Sequence, residues 1–321
     1  MTAYSKEGDV TLDGVEANFN NLWGGSLDGM SVFVSNSKFN NNVSDSSQFI
    51  DDTGLIVNSR GDFVLLDNVE AKDNRLIGAT ITAVGDVYIV NNSTFTGNAG
   101  VTCVPAWCPP GSQTYWGYGL KVVTPGMIVV DKINASNNNL YGADLQGSTV
   151  TVTNSTFDNN RFQNGLVITA TGDVTLTNVT ATNNGANGVK VTSTGACVQV
   201  VGGTFTGNDL YGIRATGAPL SLDGTQVFGG NGSGDVFSDN AGTCVVPTSV
   251  ALPASTNASG STTSSVSSTG NNTTTLNAGS TTSNTTVSSD SKKTKGKKVV
   301  AKHHKRKVAK VKMAKVRHGR R

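Results

Sequence analysis

The stretch GDVTLTNVTATNNGANGVKV, from Gly172 to Val191, combines strand-like alternation with an unusual number of turn-forming residues. Val and Leu alternate with Thr, which is typical of strands that have one buried face. Asn and Gly fill the positions between the alternating runs, and both residue types reach positive φ at low cost. The stretch therefore predicts short strands joined by tight turns.

This unit recurs along the chain, and its last Asn before the next strand serves as a marker, here called the anchor asparagine. The anchors are Asn20, Asn42, Asn74, Asn98, Asn138, Asn160, Asn184, Asn208 and Asn231. Their spacings are 22, 32, 24, 40, 22, 24, 24 and 23 residues, so the two long ones indicate loops inserted at 43–53 and 99–117. A repeat of this length predicts a solenoid of about nine turns, or rungs, of 22–24 residues.

Each rung must turn corners, and one corner position lies two residues after the Leu or Val that ends a strand. It is occupied by Gly14, Asn36, Asn68, Asn92, Lys132, Asn154, Asn178, Gly202 and Gly224. We expect positive φ at all of them, with mild strain at Lys132. The anchor asparagines are expected to stack as a ladder, each amide bonding to the rungs above and below.

Two positions that follow each corner alternate in size from rung to rung. They read Val15/Ala17, Ser37/Phe39, Val69/Ala71, Ser93/Phe95, Ile133/Ala135, Ser155/Phe157, Val179/Ala181 and Gly203/Phe205. Close packing explains the alternation, because a Phe in one rung needs a small residue directly above and below it. These side chains are therefore predicted to point inward, with consecutive rungs as spatial neighbours.

The F-x-x-N copies at 39–42, 95–98, 157–160 and 205–208 resemble the repeats of chlamydial polymorphic outer-membrane proteins. The pattern over residues 8–245 resembles the right-handed parallel β-helix of pectate-lyase-like enzymes and bacterial surface proteins. The resemblance implies an all-β fold, a right-handed single-stranded parallel β-helix. It implies surface adhesion or polysaccharide cleavage less specifically, since one fold hosts many functions.

Composition divides the chain into a β-helix (1–248), a Ser/Thr/Asn-rich linker (249–291) and a basic tail (292–321). We expect linker and tail to be disordered, because neither can bury a core. The tail holds 15 Lys and Arg residues and no acid, whereas residues 1–290 hold 10 cations against 22 acids, a net charge of −12. The tail predicts binding to an anionic polymer, a membrane surface or nucleic acid. The alternative is a solubilising tail without a specific partner.

Low charge and abundant Gly, Ser, Thr and Asn favour an extracellular or cell-surface location. The sequence contains no run of eighteen apolar residues, so no transmembrane segment is predicted. The chain enters its first rung almost at Met1, without a signal peptide or a capping helix. We therefore expect a C-terminal fragment of a longer protein.

Four cysteines suggest two disulfides in that oxidising context. Cys103 and Cys108 predict a local bridge that pins the second inserted loop, with a zinc pair as the alternative. Cys197 and Cys244 lie at equivalent positions two rungs apart, about 9.6 Å at strand spacing, which is too far for a disulfide. They can pair only if the last half-rung folds down over the end.

Aromatic residues concentrate between the anchor asparagine and the following Gly-[LVIA]-x-Val strand, a segment called here the anchor turn. The predicted ligand-binding residues are Trp23, Trp107, Tyr115, Trp116, Tyr118, Tyr141 and Tyr211. Both inserted loops fall in the same turn, and insertions on one edge of a solenoid often mark its binding face. Flat aromatic rings among polar side chains predict a glycan ligand. The alternative is that these rings pack against one another under the inserted loops as a small separate core, called here the private core.

An enzyme of the polysaccharide lyase or hydrolase class is the second hypothesis, and a structural rod is the third. The one candidate catalytic cluster is Asp45, Asp51, Asp52, Lys72, Asp73 and Arg75. Only a lyase of this kind would need calcium, and no other metal or cofactor is predicted. A solvated loop with an exposed ion pair is the alternative explanation of the cluster, and base rates favour it. Binding or adhesion therefore remains the leading expectation.

Overall fold

The computed structural model describes residues 1–43, 52–100 and 117–244, and every regular element in these ranges is a β-strand. Sheet I contains β1 (Thr2–Tyr4), β3 (Gly25–Gly29), β5 (Leu55–Ser59), β7 (Ala79–Ala83), β9 (Leu120–Val123), β11 (Ala143–Gly147), β13 (Leu166–Ala170), β15 (Val189–Ser193), β18 (Tyr211–Gly217) and β21 (Gly234–Ser238). Sheet II contains β2 (Val10–Asp13), β4 (Val32–Ser35), β6 (Phe63–Asp67), β8 (Asp86–Val90), β10 (Ile128–Asp131), β12 (Val150–Thr153), β14 (Val174–Thr177), β16 (Val198–Val201) and β19 (Leu220–Leu222).

A third, narrower face, sheet III, follows each strand of sheet II. It consists of single parallel bridges from Glu16 through Thr180 to Thr204, continued by β17 (Thr204–Thr206) and β20 (Val227–Gly229). All strand pairs are parallel, and each strand pairs with the equivalent strands of the rungs above and below it. The described residues thus form nine rungs, and β21 begins a tenth. The predicted solenoid and its rung count are confirmed.

Alternation within each strand sends every second side chain into the core. In β12 the side chains of Val150 and Val152 are fully buried, whereas Thr151 and Thr153 are only half-buried on the outer face. Because consecutive rungs are in register, each inward position stacks into a column, as Val150 does between Ile128 and Val174. Three such faces enclose one continuous apolar core along the solenoid.

The predicted corner residues all adopt positive φ, between 47° at Asn36 and 83° at Gly224. Lys132 does so at 54°, the strained exception expected from its side chain. A second series with positive φ, missed in the sequence, directly precedes the anchors. It comprises Phe19, Asn41, Asp73, Gly97, Asn137, Asn159, Asn183, Gly207 and Gly230.

The anchor ladder runs unbroken through all nine anchors. Nδ2 of each anchor donates a hydrogen bond to Oδ1 of the next, at 2.8 to 3.2 Å, from Asn20 to Asn231. The backbone N–H of each anchor donates to that same oxygen. Amides that would be costly to bury alone thereby satisfy one another inside the turn.

The alternating interior stack is confirmed as well. Phe39, Phe95, Phe157 and Phe205 are fully buried, and the bridges place Phe157 between Ala135 and Ala181. Serine in the Phe-containing rungs has a further role: Ser155 Oγ accepts the backbone N–H of Ile133 at 3.2 Å and donates to Thr153 O at 2.6 Å. The small residue therefore also satisfies backbone groups at the corner.

The last half-rung folds back over the end, as a pairing of Cys197 with Cys244 requires. The two cysteines form a disulfide with their Cα atoms 4.9 Å apart. Asn240 Nδ2 donates to Gly217 O at 2.6 Å, and Cys244 Sγ lies 3.3 Å from Pro219 O. The predicted Cys103–Cys108 bridge lies outside the described residues, as do the predicted linker 249–291 and tail 292–321.

Among the described residues, none belongs to a helix with the length and apolar character needed to cross a membrane.

Candidate functional site

An open groove of 800 Å³ runs along the anchor turns of rungs 4 to 8. Its walls are polar and come from equivalent positions of successive rungs. The side chains that line it are Asn137, Asn138, Asn139, Asn159, Arg161, Asn183, Asn184 and Asp209, with Gly97, Ala99, Gly100 and Gly185 between them. The inserted loop 99–117 begins at one end of this groove.

Three of these residues, Asn137, Asn159 and Asn183, occupy the positive-φ position before the anchor in consecutive rungs. Their side chains are exposed, and their amides make no hydrogen bond within the part of the chain that the structure describes. Neighbouring amides are spaced at about 4.8 Å, the distance between parallel strands. The groove therefore offers a regular row of free donors and acceptors.

Tyr118 and Tyr141 lie at the ends of the anchor turns of consecutive rungs, two residues before β9 and β11 of sheet I begin. Their rings pack against each other with centroids 5.0 Å apart and an angle of 33° between the planes. Both side chains are half-buried, so each keeps part of its surface in solvent. Lys121 Nζ lies 5.7 Å from the ring centroid of Tyr118, within cation–π range.

Burial perturbs the ionisation of this cluster. It raises the pKa of Tyr118 to about 12, with smaller contributions from Tyr141 and Asp144. Burial also raises the pKa of Asp144, and the hydrogen bond from Gln146 and the charge of Lys121 oppose that shift. Both tyrosines remain protonated at neutral pH, so their hydroxyls can donate hydrogen bonds to a ligand.

Of the other predicted aromatic residues, Trp23 and Tyr211 lie within the described ranges. Both lie at the position of Tyr118 and Tyr141 in other rungs, and each is half-buried. Trp23 precedes Gly24 just before β3, whereas Tyr211 is the first residue of β18. Tyr211 packs on Phe237, with ring centroids 5.5 Å apart. Trp107, Tyr115 and Trp116 lie outside the described residues.

The described members of the candidate catalytic cluster divide between separate contacts. Arg75 Nη1 lies 3.4 Å from Oδ2 of the buried Asp52, whereas Lys72 Nζ lies 2.6 Å from Glu70 Oε2. Asp73 is exposed and occupies a positive-φ turn position. Asp45 and Asp51 lie outside the described residues. In the described ranges, no group of three or more His, Cys, Asp or Glu side chains is arranged to hold a metal ion.

Sequence reasoning missed the amide row and the charged residues on the outer face of sheet I. The amide row was visible as the doubled Asn at 137–138, 159–160 and 183–184, of which only the second Asn serves as an anchor. The outer face was visible as the variable position of the Gly-[LVIA]-x-Val motif, which holds Lys121, Asp144, Val167, Lys190 and Arg214. In a strand this position must point away from the core.

Comparison with known proteins supports the fold. A family model described as a right-handed beta helix region matches residues 21–210, which is more than half of the chain. This match bears out the right-handed winding. Neither the curated proteins nor the solved structures contain a significant match to this chain.

Proposed function

The chain belongs to the family of right-handed β-helix proteins, and on that premise we propose that it is an extracellular or cell-surface protein that binds glycans along its anchor turns. One observation carries the proposal: a groove with a row of amides that have no hydrogen-bond partner among the described residues runs along the same turns that hold a packed tyrosine pair. Amides match sugar hydroxyls, and aromatic rings pack on the C–H faces of sugars.

The Cys197–Cys244 disulfide supports an extracellular location, because disulfides persist in oxidising compartments. Adhesion fits the arrangement of the chain, in which the rigid solenoid would present the groove and the basic tail would hold the protein to an anionic surface. A purely structural rod needs neither the groove nor the tyrosine pair. Cleavage of the glycan, by a polysaccharide lyase or hydrolase activity, is the competing function that the experiments must distinguish from binding.

Replacing Tyr141 by alanine should weaken glycan binding by about 1–3 kcal/mol, the scale of a lost aromatic anchor. A glycan array on the full chain identifies the ligand, and calorimetry on the best hit measures the loss. Thermal stability should change little, because Tyr141 lies outside the interior stack. Tyr88→Ala is the matched control, since Tyr88 is a half-buried tyrosine on the opposite sheet.

Equal affinity of the Tyr141 variant and the wild type, or an array without any hit, would contradict the proposal. A loss of stability without any ligand would instead favour the private-core alternative. Release of shorter sugars from the hit would favour the enzyme.

Deleting residues 292–321 should abolish attachment to anionic polymers or anionic vesicles, because the deletion removes all 15 cations of the tail. Attachment of the intact chain should weaken steeply with salt, since the Debye length falls to ~3 Å near 1 M. Deleting 262–291 is the matched control, because it removes the same number of residues and no Lys or Arg. Salt-independent attachment, or attachment that survives the first deletion, would exclude electrostatic tethering.

A further inference from the structure

Most cationic side chains of rungs 1 to 4 lie close to an acid, with Lys6 as the exception among the described residues, whereas most of those from rung 5 onward do not. In rungs 1 to 4, acids lie 2.6 to 3.4 Å from Lys38, Arg60, Lys72 and Arg75. Among the cations from rung 5 onward, Lys132 is also close to an acid, with its Nζ 3.7 Å from Asp131 Oδ2. The remaining cations of these rungs have no carboxylate within 4.0 Å among the described residues, and they are Lys121, Arg161, Lys190 and Arg214.

These four cations share one side of the molecule. Lys121, Lys190 and Arg214 occupy the same outward position of sheet I, where Asp144 is the direct neighbour of Lys121 on β11. Arg161 lines the groove on the adjacent anchor turn. Lys190 and Arg214 are direct neighbours across β15 and β18. Like charges directly opposite each other destabilise a sheet. Their adjacency is unexpected in a segment with a net charge of −12 over residues 1–290, where acids are plentiful.

The side chain of Arg214 is fixed by its neighbours. Its Nε is buried and has no hydrogen-bond partner in the part of the chain that the structure describes, and its guanidinium carbon lies 5.4 Å from the ring centroid of Phe237. Thr192 and Thr216 occupy the next outward position of the same two strands, with their hydroxyl oxygens 3.1 Å apart. Ammonium, guanidinium and hydroxyl donors therefore converge on one small area.

Building on the proposed function, we propose that the glycan is acidic and that Lys121, Lys190 and Arg214 bind its carboxylate or sulfate groups. An anion between Lys190 and Arg214 would relieve their repulsion and form charge-assisted hydrogen bonds, which are stronger than neutral ones. Lys121 and Lys190 are three rungs apart, about 14 Å at strand spacing. The ligand is therefore an oligosaccharide with several acidic groups, because one monosaccharide cannot reach both positions.

Acetylation footprinting of lysines in the full chain tests this inference, because it reports on each lysine separately from the basic tail. The probes are a uronate hexasaccharide, a sulfated hexasaccharide and a neutral hexasaccharide. We expect at least one acidic probe to slow acetylation of Lys121 and Lys190 several-fold, while Lys6 and Lys132 react unchanged. The probe that protects identifies the acidic group as carboxylate or sulfate.

The outcomes separate this inference from the proposed function. If the neutral probe protects the two lysines as well as the acidic probes do, glycan binding stands and the requirement for charge is wrong. If acidic probes protect only lysines of the tail, Lys121, Lys190 and Arg214 do not form a binding site. A short DNA duplex that protects Lys121 and Lys190 as strongly as the sugars would overturn the assignment to glycans.

Variants provide a second readout. Lys190→Ala combined with Arg214→Ala should weaken binding of the protecting probe roughly tenfold or more, as expected for lost charge-assisted hydrogen bonds. Lys6→Ala should leave it unchanged, because Lys6 lies in the first rung. Equal affinities of the two variants would overturn the inference, provided that both melt like the wild type.

Discussion

Asn160→Ala is expected to lower the free energy of unfolding by about 2–4 kcal/mol, through one buried backbone N–H left without a partner and through a lost amide. Oδ1 of Asn160 accepts the backbone N–H of Asn138 at 3.0 Å and its Nδ2 at 3.2 Å. Nδ2 of Asn138 keeps a second acceptor, Phe95 O, but its backbone N–H does not. Urea denaturation, followed by circular dichroism, measures the loss.

Asn134→Ala is the matched control for this variant. Asn134 lies on an exposed position of sheet III, so its replacement should change stability by at most about 0.5 kcal/mol. If the two variants unfold at the same urea concentration, the ladder contributes nothing to stability. Since rungs contact only their neighbours, the loss should be greatest in rungs 5 to 7, which hydrogen exchange can resolve.

Ala181→Phe is expected to cost about 1–3 kcal/mol or more through overpacking. The bridges at Thr156, Thr180 and Thr204 place Ala181 between Phe157 and Phe205, and all three side chains are fully buried. A third large ring at this level has no space unless the rungs separate. The melting temperature of the variant should therefore fall below that of the wild type.

Two further variants make this prediction specific. Thr180→Phe adds the same ring on the outer side of the same bridge and should leave the melting temperature almost unchanged. Combining Ala181→Phe with Phe157→Ala should recover part of the loss, because residues in contact are not additive. An unchanged melting temperature for Ala181→Phe alone would count against close packing of the stack. At the end of the solenoid two large rings do lie on adjacent rungs, because Phe205 stacks on Phe228 with ring centroids 5.6 Å apart.

The sequence by itself determined the rung and its repetition. Corners require positive φ, and only a few residue types adopt it cheaply, so Asn and Gly recur at the corners, as at Asn154 and Gly202. Packing between identical rungs requires complementary sizes, so the alternation of Phe157 with Ala135 and Ala181 predicted both the inward face and the neighbours. These features follow from local backbone geometry and from the repeat length, and both can be read from a single sequence.

Only the tertiary structure decided how different rungs cooperate at the surface. The pairing of Cys197 with Cys244 depends on the path of the last half-rung, which the period does not specify. The Gly directly before β11 is required because a Cβ on Gly142 would lie 2.4 Å from the carbonyl oxygen of Gly165. The groove, the packing of Tyr118 on Tyr141 and the adjacency of Lys190 and Arg214 arise between residues more than twenty positions apart. Such contacts depend on the register between rungs and on outward side chains, whose identity core packing does not constrain.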